Sequence, residues 1–341
     1  MITEHWNKYL ENFPENKRDI YFTEEYHLIN VGREETSEAF VYTDGGKTMI
    51  FPFLSREWTT ADGFRIKDFE TAYGYGGPVY NTDDEEFILA ALQVFKKELS
   101  EAGYVAGFVR FHPLLNNHIH FDSIGKLIFD RNTVAIDLTM PIDEVWMNEI
   151  HTKNRNVIKK GEKEGLIFRA DDNYDSLARF RELYENTMDK LNADSFYYFG
   201  DSYFRDFKRL IPSSFIGEVS IYDEIIASAI FFHDGIYGHY HLAGSDVARL
   251  KLSPNNFLLW QAAKVLKNRG VKYFHLGGGI NSEESNSLFQ FKRKFSKTTR
   301  DFYIGKLIFA PDTYSAICRK WEERNPDKVE KFGCRLLKYR Y

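Results

Sequence analysis

Glycine, aromatic and lysine residues that could act on an acyl group lie close together in the last quarter of the sequence. The segment Leu276–Asn281 ends a predicted strand in consecutive glycines, among them Gly277 and Gly278, whose bare backbone N–H groups could hold an acyl oxygen. Phe291 and Lys292 follow, and a lysine ammonium here would neutralise a developing oxyanion or a phosphate. We therefore expect the working surface near Leu276–Asn281, with Lys292 as the candidate catalytic cation.

A second candidate region lies at the start of a predicted helix. Ser253 is predicted to cap a helix whose first position is Pro254, which leaves backbone N–H groups pointing at the preceding loop. Cations stand beside this helix start, so the region suits a phosphate group, although an ordinary capped helix fits the same residues. The candidate donor-binding or phosphate-binding residues are Arg249, Lys251, Asn255, Asn256, Gly277 and Gly278.

The first half of the sequence adds candidate residues for a substrate. The segment Tyr73–Tyr80 combines glycine backbone freedom with aromatic walls, and a predicted strand ends in Arg110 and His112. His112 and His241 are candidate catalytic proton acceptors because imidazole titrates near neutral pH, whereas histidines without a chemical role are the alternative. The candidate substrate-binding residues are Tyr73, Tyr75, Gly76, Arg110, Tyr240 and Phe291.

Several common catalytic motifs are absent from the sequence. There is no G-x-x-x-x-G-K-[ST] loop, no G-x-G-x-x-G between a strand and a helix, and no G-x-S-x-G elbow. His112, His118 and His120 lack a carboxylate at ligand spacing, and Cys318 and Cys334 lack the spacing of a zinc site. We therefore predict no metal site, no permanently bound cofactor and reduced cysteines.

Length and charge limit the function further. A chain of 341 residues is long for one core, so two domains are expected. The net charge of −5 gives no global attraction to DNA, but five cations within Lys153–Lys163 make a basic stripe that suits RNA or phosphate as well as a solvated face. The sequence shows no signal peptide and no apolar run that could span a bilayer. This predicts a cytoplasmic protein, with a peripheral position at the inner membrane face left open.

An α/β scaffold is predicted to position these residues. Strands are predicted at Ala39–Tyr42, Lys47–Phe53, Val105–Phe111, Thr133–Leu138, Phe215–Tyr222, Ile225–His233, Tyr237–Ala243, Lys272–Leu276 and Asp301–Phe309. Helices are predicted at Asp84–Ala102, Asp143–Gly165, Asn255–Arg269 and Asp312–Trp321. In both halves a helix is followed by a glycine, Gly103 or Gly270, and then by a short strand. This similarity suggests an internal repeat, although any two αβ units share it.

Together these segments resemble the FemABX family of peptidoglycan bridge-forming aminoacyltransferases, and more broadly the FemAB-like acyltransferases built on two GNAT-type domains. The resemblance is strongest in Lys153–Gly165, Ser253–Gly279 and Phe289–Phe295. It implies an α/β fold of two tandem GNAT-like domains, each a mixed sheet flanked by helices. We expect the first domain, on the acceptor side, at 1–150 and the second, on the donor and catalytic side, at 151–310. A C-terminal helical segment at 311–341 is expected to pack back on the core.

The resemblance also assigns roles to particular residues. Phe291 and Lys292 look like the family's aromatic–lysine pair, whose lysine is implicated in stabilising transition-state charge. Where the family often has Arg-x-Asp-Pro, this chain has Arg110, Phe111, His112 and Pro113, so a histidine replaces the acid. This departure argues against a peptidoglycan precursor bound in the family's manner. No segment is long enough for the helical hairpin that some tRNA-dependent members carry in the second domain.

We therefore predict an acyltransferase that transfers an acyl or aminoacyl group to an amine in cell-envelope precursor biosynthesis. The product is either a peptidoglycan bridge or an acylated amino sugar of a surface polysaccharide. The donor is aminoacyl-tRNA or acyl-CoA, and the acceptor is a small-molecule or lipid-linked precursor. The alternatives are a degenerate tandem-GNAT module that binds a nucleotide-linked sugar without turnover, and an RNA-binding protein.

Overall fold

The structure is a computed structural model and describes residues 1–60, 63, 65–194 and 197–341. It divides into two compact units: unit 1 contains Met1–Asp130 and Phe302–Tyr341, and unit 2 contains Arg131–Asp301. In sequence, unit 2 is therefore inserted between two parts of unit 1. The domains expected at 1–150, 151–310 and 311–341 have other limits than these two units. Those domain limits stay a prediction.

The described part of the chain contains strands and helices with the following bounds. The strands are β1 (Ile2–Thr3), β2 (Glu35–Asp44), β3 (Lys47–Thr59), β4 (Arg65–Glu70), β5 (Val79–Tyr80), β6 (Tyr104–Arg110), β7 (Lys126–Asp137), β8 (Ile167–Asp171), β9 (Ser214–Ile221), β10 (Glu224–Asp234), β11 (Tyr237–Ser245), β12 (Tyr273–Gly278) and β13 (Thr299–Ile308). The helices are α1 (Asn7–Leu10), α2 (Glu24–Asn30), α3 (Glu85–Glu101), α4 (Ile142–Asn148), α5 (Thr152–Lys163), α6 (Leu177–Lys190), α7 (Asp201–Asp206), α8 (Pro254–Asn268), α9 (Ser287–Arg293), α10 (Pro311–Arg324) and α11 (Val329–Phe332).

Unit 1 is built on a mixed sheet with the neighbour order β1-β2-β3-β4-β6-β13, and β5 pairs with β3. The β4–β6 pair is parallel, whereas β2–β3 and β6–β13 are antiparallel. Helix α3 is capped by Asp84, whose side chain accepts a hydrogen bond from the Phe87 N–H (3.1 Å). Its apolar residues recur at helical spacing, so one face packs against Phe51 and Phe69 of the sheet.

The strands of unit 2 are paired in the order β7-β12-β11-β10-β9-β8, in both parallel and antiparallel pairs. Strands β11 and β12 are parallel, but they pair only over Tyr237–His239 and Tyr273–His275. Beyond this point β11 continues beside β10, while the end of β12 pairs with β7. The two strands therefore separate towards their carboxyl ends. Helix α8 buries apolar residues, Leu258 among them, in the core of this unit.

The predicted fold class, mixed α/β, is confirmed, but one predicted helix is wrong. Instead of one helix over Asp143–Gly165, the chain forms α4 and α5. The Arg155 guanidinium donates to the carbonyl oxygen of Ile150 (2.8 Å) and to two carbonyl oxygens near the end of α4, so it closes that helix. The His151 ring accepts from the Lys153 N–H (3.3 Å) at the start of α5. Neither interaction leaves a proline or glycine signal in the sequence.

None of the helices in the described ranges is both long enough and apolar enough to cross a membrane.

Candidate active site

Lys292 lies on α9, which follows the glycine strand end. The Asn286 side chain caps this helix, accepting from the N–H groups of Leu288 (3.1 Å) and Phe289 (3.2 Å). Phe289 is buried in the core of unit 2 and so fixes the orientation of the helix. Lys292 is only 7% exposed, and its Nζ donates a hydrogen bond to the carbonyl oxygen of Gly278 (2.8 Å). A short helix that was not predicted thus places a buried amine at the end of β12.

The charge environment of Lys292 is unfavourable to its ammonium form. Burial lowers the pKa of Lys292 to about 7, and the nearby Arg131 guanidinium adds to this effect. The Tyr240 ring lies 5.9 Å from Nζ, measured to the ring centroid. Among the residues that the structure describes, no carboxylate forms an ion pair with Lys292. A buried lysine that titrates near neutral pH is typical of a functional site.

The glycine strand end has a conformation that brings its carbonyl oxygens to these cations. The β12–β7 register shifts between His275 and Gly277, and Gly277 has a φ of +78°, which favours glycine. The Gly278 carbonyl accepts from Lys292, and the Gly279 carbonyl accepts from Arg131 Nη1 (2.8 Å). These contacts engage carbonyl oxygens, so oxyanion binding by the N–H groups of these glycines stays a prediction.

Four of the predicted donor-binding residues lie on a 3-10 turn, Val247–Leu252, and at the start of α8. Arg249 pairs with Glu224 (3.3 Å), and the Lys251 side chain is exposed. The Asn255 Nδ2 donates to Ser245 Oγ (3.2 Å), while its Oδ1 is buried without a hydrogen-bond partner in the described ranges. An unsatisfied acceptor at this helix start suits a ligand with N–H or O–H groups.

The predicted capping role of Ser253 is wrong. The residue precedes Pro254 as expected, but it has a φ of +54° and its side chain makes no capping hydrogen bond. In this left-handed conformation the residue turns the chain from the 3-10 turn into α8. Asn256, the next predicted residue, is already engaged, since its Nδ2 donates to Asn154 Oδ1 (2.6 Å).

Asn154 is a residue that the sequence analysis did not single out. It is 1% exposed, and its Nδ2 donates to the carbonyl oxygen of Lys294 (3.3 Å) just after α9. Through Asn256 and Lys294 it joins the start of α8 to the end of the helix that carries Lys292. The buried side of α5 consists of Asn154, Ile158 and Gly161 at helical spacing. A polar residue on this otherwise apolar side was the signal in the sequence that could have indicated Asn154.

The remaining predicted residues of unit 2 have mixed surroundings. His241 Nε2 lies 3.0 Å from the Tyr203 hydroxyl, and burial lowers the pKa of His241 to about 3, with a smaller contribution from His239. The ring is therefore neutral near pH 7. Tyr240 lies beside Lys292, and Phe291 packs edge-on against Phe295 with 5.6 Å between ring centroids.

In unit 1, the predicted cation, Arg110, and the predicted imidazole, His112, both contact neighbouring groups of the same unit. Arg110 donates to Glu70 (3.0 Å) and to the carbonyl oxygen of Thr71 (2.8 Å). His112 is fully buried, with Nε2 lying 3.3 Å from the Asp19 carboxylate and Nδ1 accepting from the Leu114 N–H (3.2 Å). Nδ1 is an acceptor and Nε2 faces a carboxylate, so the arrangement suits a neutral imidazole that orders the surrounding chain.

The aromatic segment of unit 1 is organised by Asn117, which the sequence analysis also missed. Its Oδ1 accepts from the His112 N–H (2.9 Å), and its Nδ2 donates to the carbonyl oxygens of Gly76 (2.7 Å) and Pro78 (2.9 Å). Tyr75, which is partly exposed, packs edge-on against another ring of the same unit. Tyr73 lies in the same segment, where its carbonyl oxygen accepts from the hydroxyl of a buried tyrosine (2.5 Å).

The predicted residues therefore form one group in each unit. Unit 1 holds Tyr73, Tyr75, Gly76, Arg110 and His112, whereas unit 2 holds Lys292, His241, Tyr240, Phe291, Arg249, Lys251, Asn255, Asn256, Gly277 and Gly278. Within unit 2, the structure brings Lys292, Gly278 and Tyr240 together.

Comparison with known protein families identifies the fold around Lys292. The family described as "Acetyltransferase (GNAT) domain" matches residues 150–293. Unit 2 carries a GNAT-type acyltransferase domain. Lys292 lies at the end of the matched GNAT segment, and the separation of β11 from β12 lies inside it. No curated protein matches the chain in sequence.

Solved structures share the fold over most of the chain. The structure titled FemX matches with a TM-score of 0.72 and 13% identity, covering 93% of this chain and 99% of that one. L-PGS from Bacillus licheniformis matches with a TM-score of 0.56 and 15% identity, covering 87% and 90% of the two chains. The C-terminal domain of a putative lysylphosphatidylglycerol synthetase from Agrobacterium fabrum gives 0.55 and 16%, covering 85% and 88%. The FemAB-like fold expected from the sequence is confirmed, and so is the acyltransferase class of the GNAT domain.

Proposed function

We propose that this chain transfers an acyl or aminoacyl group from a carrier to an amine acceptor during assembly of cell-envelope precursors. The observation that carries the proposal is the buried Lys292 amine, held by the Gly278 carbonyl within the GNAT domain. The resemblance to the FemABX aminoacyltransferases supports the envelope as the setting. The likeness to proteins named for lysylphosphatidylglycerol synthesis also supports an aminoacyl group as the cargo.

In the proposed reaction, Lys292 moves a proton and stabilises charge. The neutral amine of the acceptor attacks the acyl carbonyl, a C–N bond forms, and the C–O or C–S bond to the carrier breaks. The Lys292 ammonium stabilises the carbonyl oxygen and gives a proton to the leaving oxygen or sulfur, and the proton lost by the acceptor nitrogen restores the ammonium. A group with a pKa of about 7 can give and regain a proton near neutral pH.

This scheme does not need either histidine as the base. The pKa of His241 is lowered to about 3, which makes its imidazole a weak proton acceptor. The His112 Nδ1 already accepts a backbone N–H, and its Nε2 faces the Asp19 carboxylate within unit 1. We assign His112 to the ordering of the aromatic segment through Asn117, and His241 to the packing of unit 2 with Tyr203.

Two surfaces of unit 2 support the two proposed carriers. Lysines on the exposed side of α5 would suit the phosphates of an aminoacyl-tRNA: Lys153, Lys159, Lys160 and Lys163. The 3-10 turn and the start of α8, with Lys251 and the buried Asn255 Oδ1, would suit the diphosphate and amide groups of acyl-CoA. The fifth cation of the sequence stripe, Arg155, points inward to the end of α4 and is not available to a carrier.

We place the acceptor on unit 1, in the cytoplasm or at the inner face of the membrane. Tyr73 and Tyr75 are partly exposed, and Asn117 holds the glycine backbone beside them. Aromatic rings next to ordered backbone suit a small-molecule or lipid-linked precursor with sugar or amide groups. Arg110 is held by Glu70, so we expect it to shape this surface more than to bind a substrate phosphate.

The decisive experiment combines a carrier panel with a lysine variant. Native mass spectrometry of the purified chain with aminoacyl-tRNA, acyl-CoA and nucleotide-linked sugars identifies the retained class. Transfer to amine acceptors is then measured for wild type, Lys292→Ala and Lys294→Ala, the last being an exposed lysine just after α9. We expect Lys292→Ala to lose about 10²–10³-fold in rate and Lys294→Ala to keep it.

Two outcomes would overturn the proposal. Equal rates for wild type and Lys292→Ala would remove Lys292 from the reaction. No transfer with any carrier, together with retention of a nucleotide-linked sugar, would favour a binding module without turnover.

A further inference from the structure

Arg131 and Lys292 hold two successive carbonyl groups of the glycine strand end. Lys292 Nζ donates to the carbonyl oxygen of Gly278, and Arg131 Nη1 donates to that of Gly279, both at 2.8 Å. Arg131 stands on β7, so two different elements of unit 2 supply the two cations. A strand end fixed from both sides presents Lys292 in one orientation.

The glycines at this strand end make the approach of these groups possible. A Cβ on Gly278 would lie 2.9 Å from the carbonyl oxygen of Asn132 and 3.1 Å from Arg131 Cδ. A Cβ on Gly279 would lie 2.6 Å from Asn286 Oδ1, the group that caps the helix of Lys292. The absence of side chains thus lets Arg131 pack along the backbone and lets the cap of α9 sit against it.

We propose that Arg131 is a positioning residue for Lys292: it fixes the backbone that accepts the Lys292 hydrogen bond and keeps a second positive charge beside that amine. The inference rests on the proposed role of Lys292 in acyl transfer. In the described ranges, the charged or titratable groups facing Lys292 from neighbouring elements are Arg131 on β7 and Tyr240 on β11. Burial raises the pKa of Tyr240, so this phenol stays neutral and Arg131 supplies the neighbouring charge.

This placement separates two reasons for the neutral form of Lys292. Burial is the larger cause of its lowered pKa, and the like charge of Arg131 is the second. Removal of Arg131 would leave the amine buried but would remove the repulsion. Replacement by lysine would keep a positive charge, and replacement by glutamine would keep a hydrogen-bond donor without the charge.

The test is an NMR titration of the Lys292 side chain in full-length protein labelled with ¹³C at lysine Cε. Lys292→Arg assigns the signal, and thermal unfolding confirms that each variant is folded. We expect Arg131→Met and Arg131→Gln to raise the pKa of Lys292 by about one unit, and Arg131→Lys to keep it near the wild-type value. Arg293→Met is the matched control, because Arg293 follows Lys292 on α9 but donates away from it to the carbonyl oxygens of Ser296 and Lys297.

An unchanged pKa of Lys292 in folded Arg131→Gln would overturn the inference, and so would an equal rise in Arg131→Lys and Arg131→Gln. If Arg131→Met does not fold, the glutamine and lysine variants still decide. The titration requires no substrate, so its outcome is independent of whether transfer activity is found. Conversely, Lys292→Ala could abolish transfer while the Arg131 substitutions leave the pKa of Lys292 unchanged. This result would remove the inference about Arg131 and retain the proposed function.

Discussion

The two units contain buried cations with opposite surroundings. In unit 1, the Arg340 side chain is 8% exposed. In unit 2, Lys292 is 7% exposed as a whole residue. Arg340 faces Asp68, Glu70 and Glu35, with hydrogen bonds to the latter two of 2.8 and 3.0 Å. Burial alone would lower the pKa of Arg340, but these carboxylates outweigh it and raise the pKa above its ordinary value. Lys292 has a carbonyl oxygen and another cation instead.

We interpret this difference as one between a cation that stabilises the fold and a cation that is suited to proton transfer. A buried charge with several opposite charges stays ionised at every relevant pH and holds elements together. A buried charge without a counter-ion gives up its proton easily, which costs stability and is useful only if the protein uses that proton. We therefore interpret the Arg340 cluster as a structural anchor of unit 1 and Lys292 as the reactive group of unit 2.

The largest expected effect on stability is that of Arg340→Met. Removal of the guanidinium leaves Asp68 fully buried without its main partner, and Glu70 and Glu35 lose a hydrogen bond each. The free energy of unfolding should fall by about 3–5 kcal/mol, measured by urea denaturation at neutral pH.

The pH dependence of this variant has a defined sign. Burial already raises the pKa of the Asp68 carboxyl in the folded state, and without the opposite charge of Arg340 this pKa rises further. The deficit should therefore narrow as the pH falls through the raised pKa of the folded Asp68 carboxyl, where this group binds its proton. A deficit below about 1 kcal/mol, or one that is constant with pH, would contradict the view of this cluster as an anchor.

The next largest effect on the free energy of unfolding is expected for Lys292→Met, which should stabilise the protein where Arg340→Met destabilises it. Because the folded pKa of about 7 lies below the ordinary value of 10.5, the unfolded chain binds the proton more tightly. The resulting penalty on the folded state is complete below about pH 7 and is relieved as the pH rises towards 10.5. Lys292→Met should stabilise the protein by about 2–4 kcal/mol at pH 7, with the gain disappearing near pH 10. If urea denaturation shows that Lys292→Met is less stable than wild type at pH 7, Lys292 is not a buried charge without a counter-ion.

The sequence predicted the main elements of each unit better than the surroundings of these two cations. Local periodicity was enough for α3, α8 and the β10–β11 hairpin, because their apolar residues repeat at the spacing of the element itself. It failed for the break between α4 and α5, which depends on one arginine folding back on the preceding helix. The glycine strand end was also predicted, since three consecutive glycines stand out in any sequence.

The candidate site could be predicted only in part. The role of Lys292 was predicted from a resemblance to the family's aromatic–lysine pair and stays a prediction, and its burial and its neighbour Arg131 could not be inferred. The Arg131–Gly279 hydrogen bond joins residues 148 positions apart, so no spacing in the sequence reveals it. The Asp19–His112 contact, likewise, depends on the tertiary fold of unit 1 and not on a local motif.

The smallest expected effect concerns the exposed cations of α5, which contrast with the two buried cations. It is an effect on the salt dependence of tRNA binding. If aminoacyl-tRNA is the carrier, replacing Lys153, Lys160 and Lys163 by glutamine should reduce the slope of log affinity against log salt by about 2–3. Filter binding over a salt series measures this slope. Glutamine at three exposed lysines of unit 1, Lys8, Lys97 and Lys126, is the matched control and should leave the slope unchanged. Equal slopes for both triple variants would exclude α5 as the tRNA surface.

The most direct test of the central claim is the pH dependence of single-turnover transfer in wild type and Lys292→Arg. Both proteins face the same titration of the acceptor amine, so the ratio of their rates isolates the ionisation of residue 292. We predict that the ratio of the wild-type rate to the Lys292→Arg rate falls as the pH rises through about 7, because Lys292 loses its proton there and arginine does not. A ratio that stays constant between about pH 6 and pH 9, or one that rises, would contradict an ammonium with a lowered pKa as the reactive group.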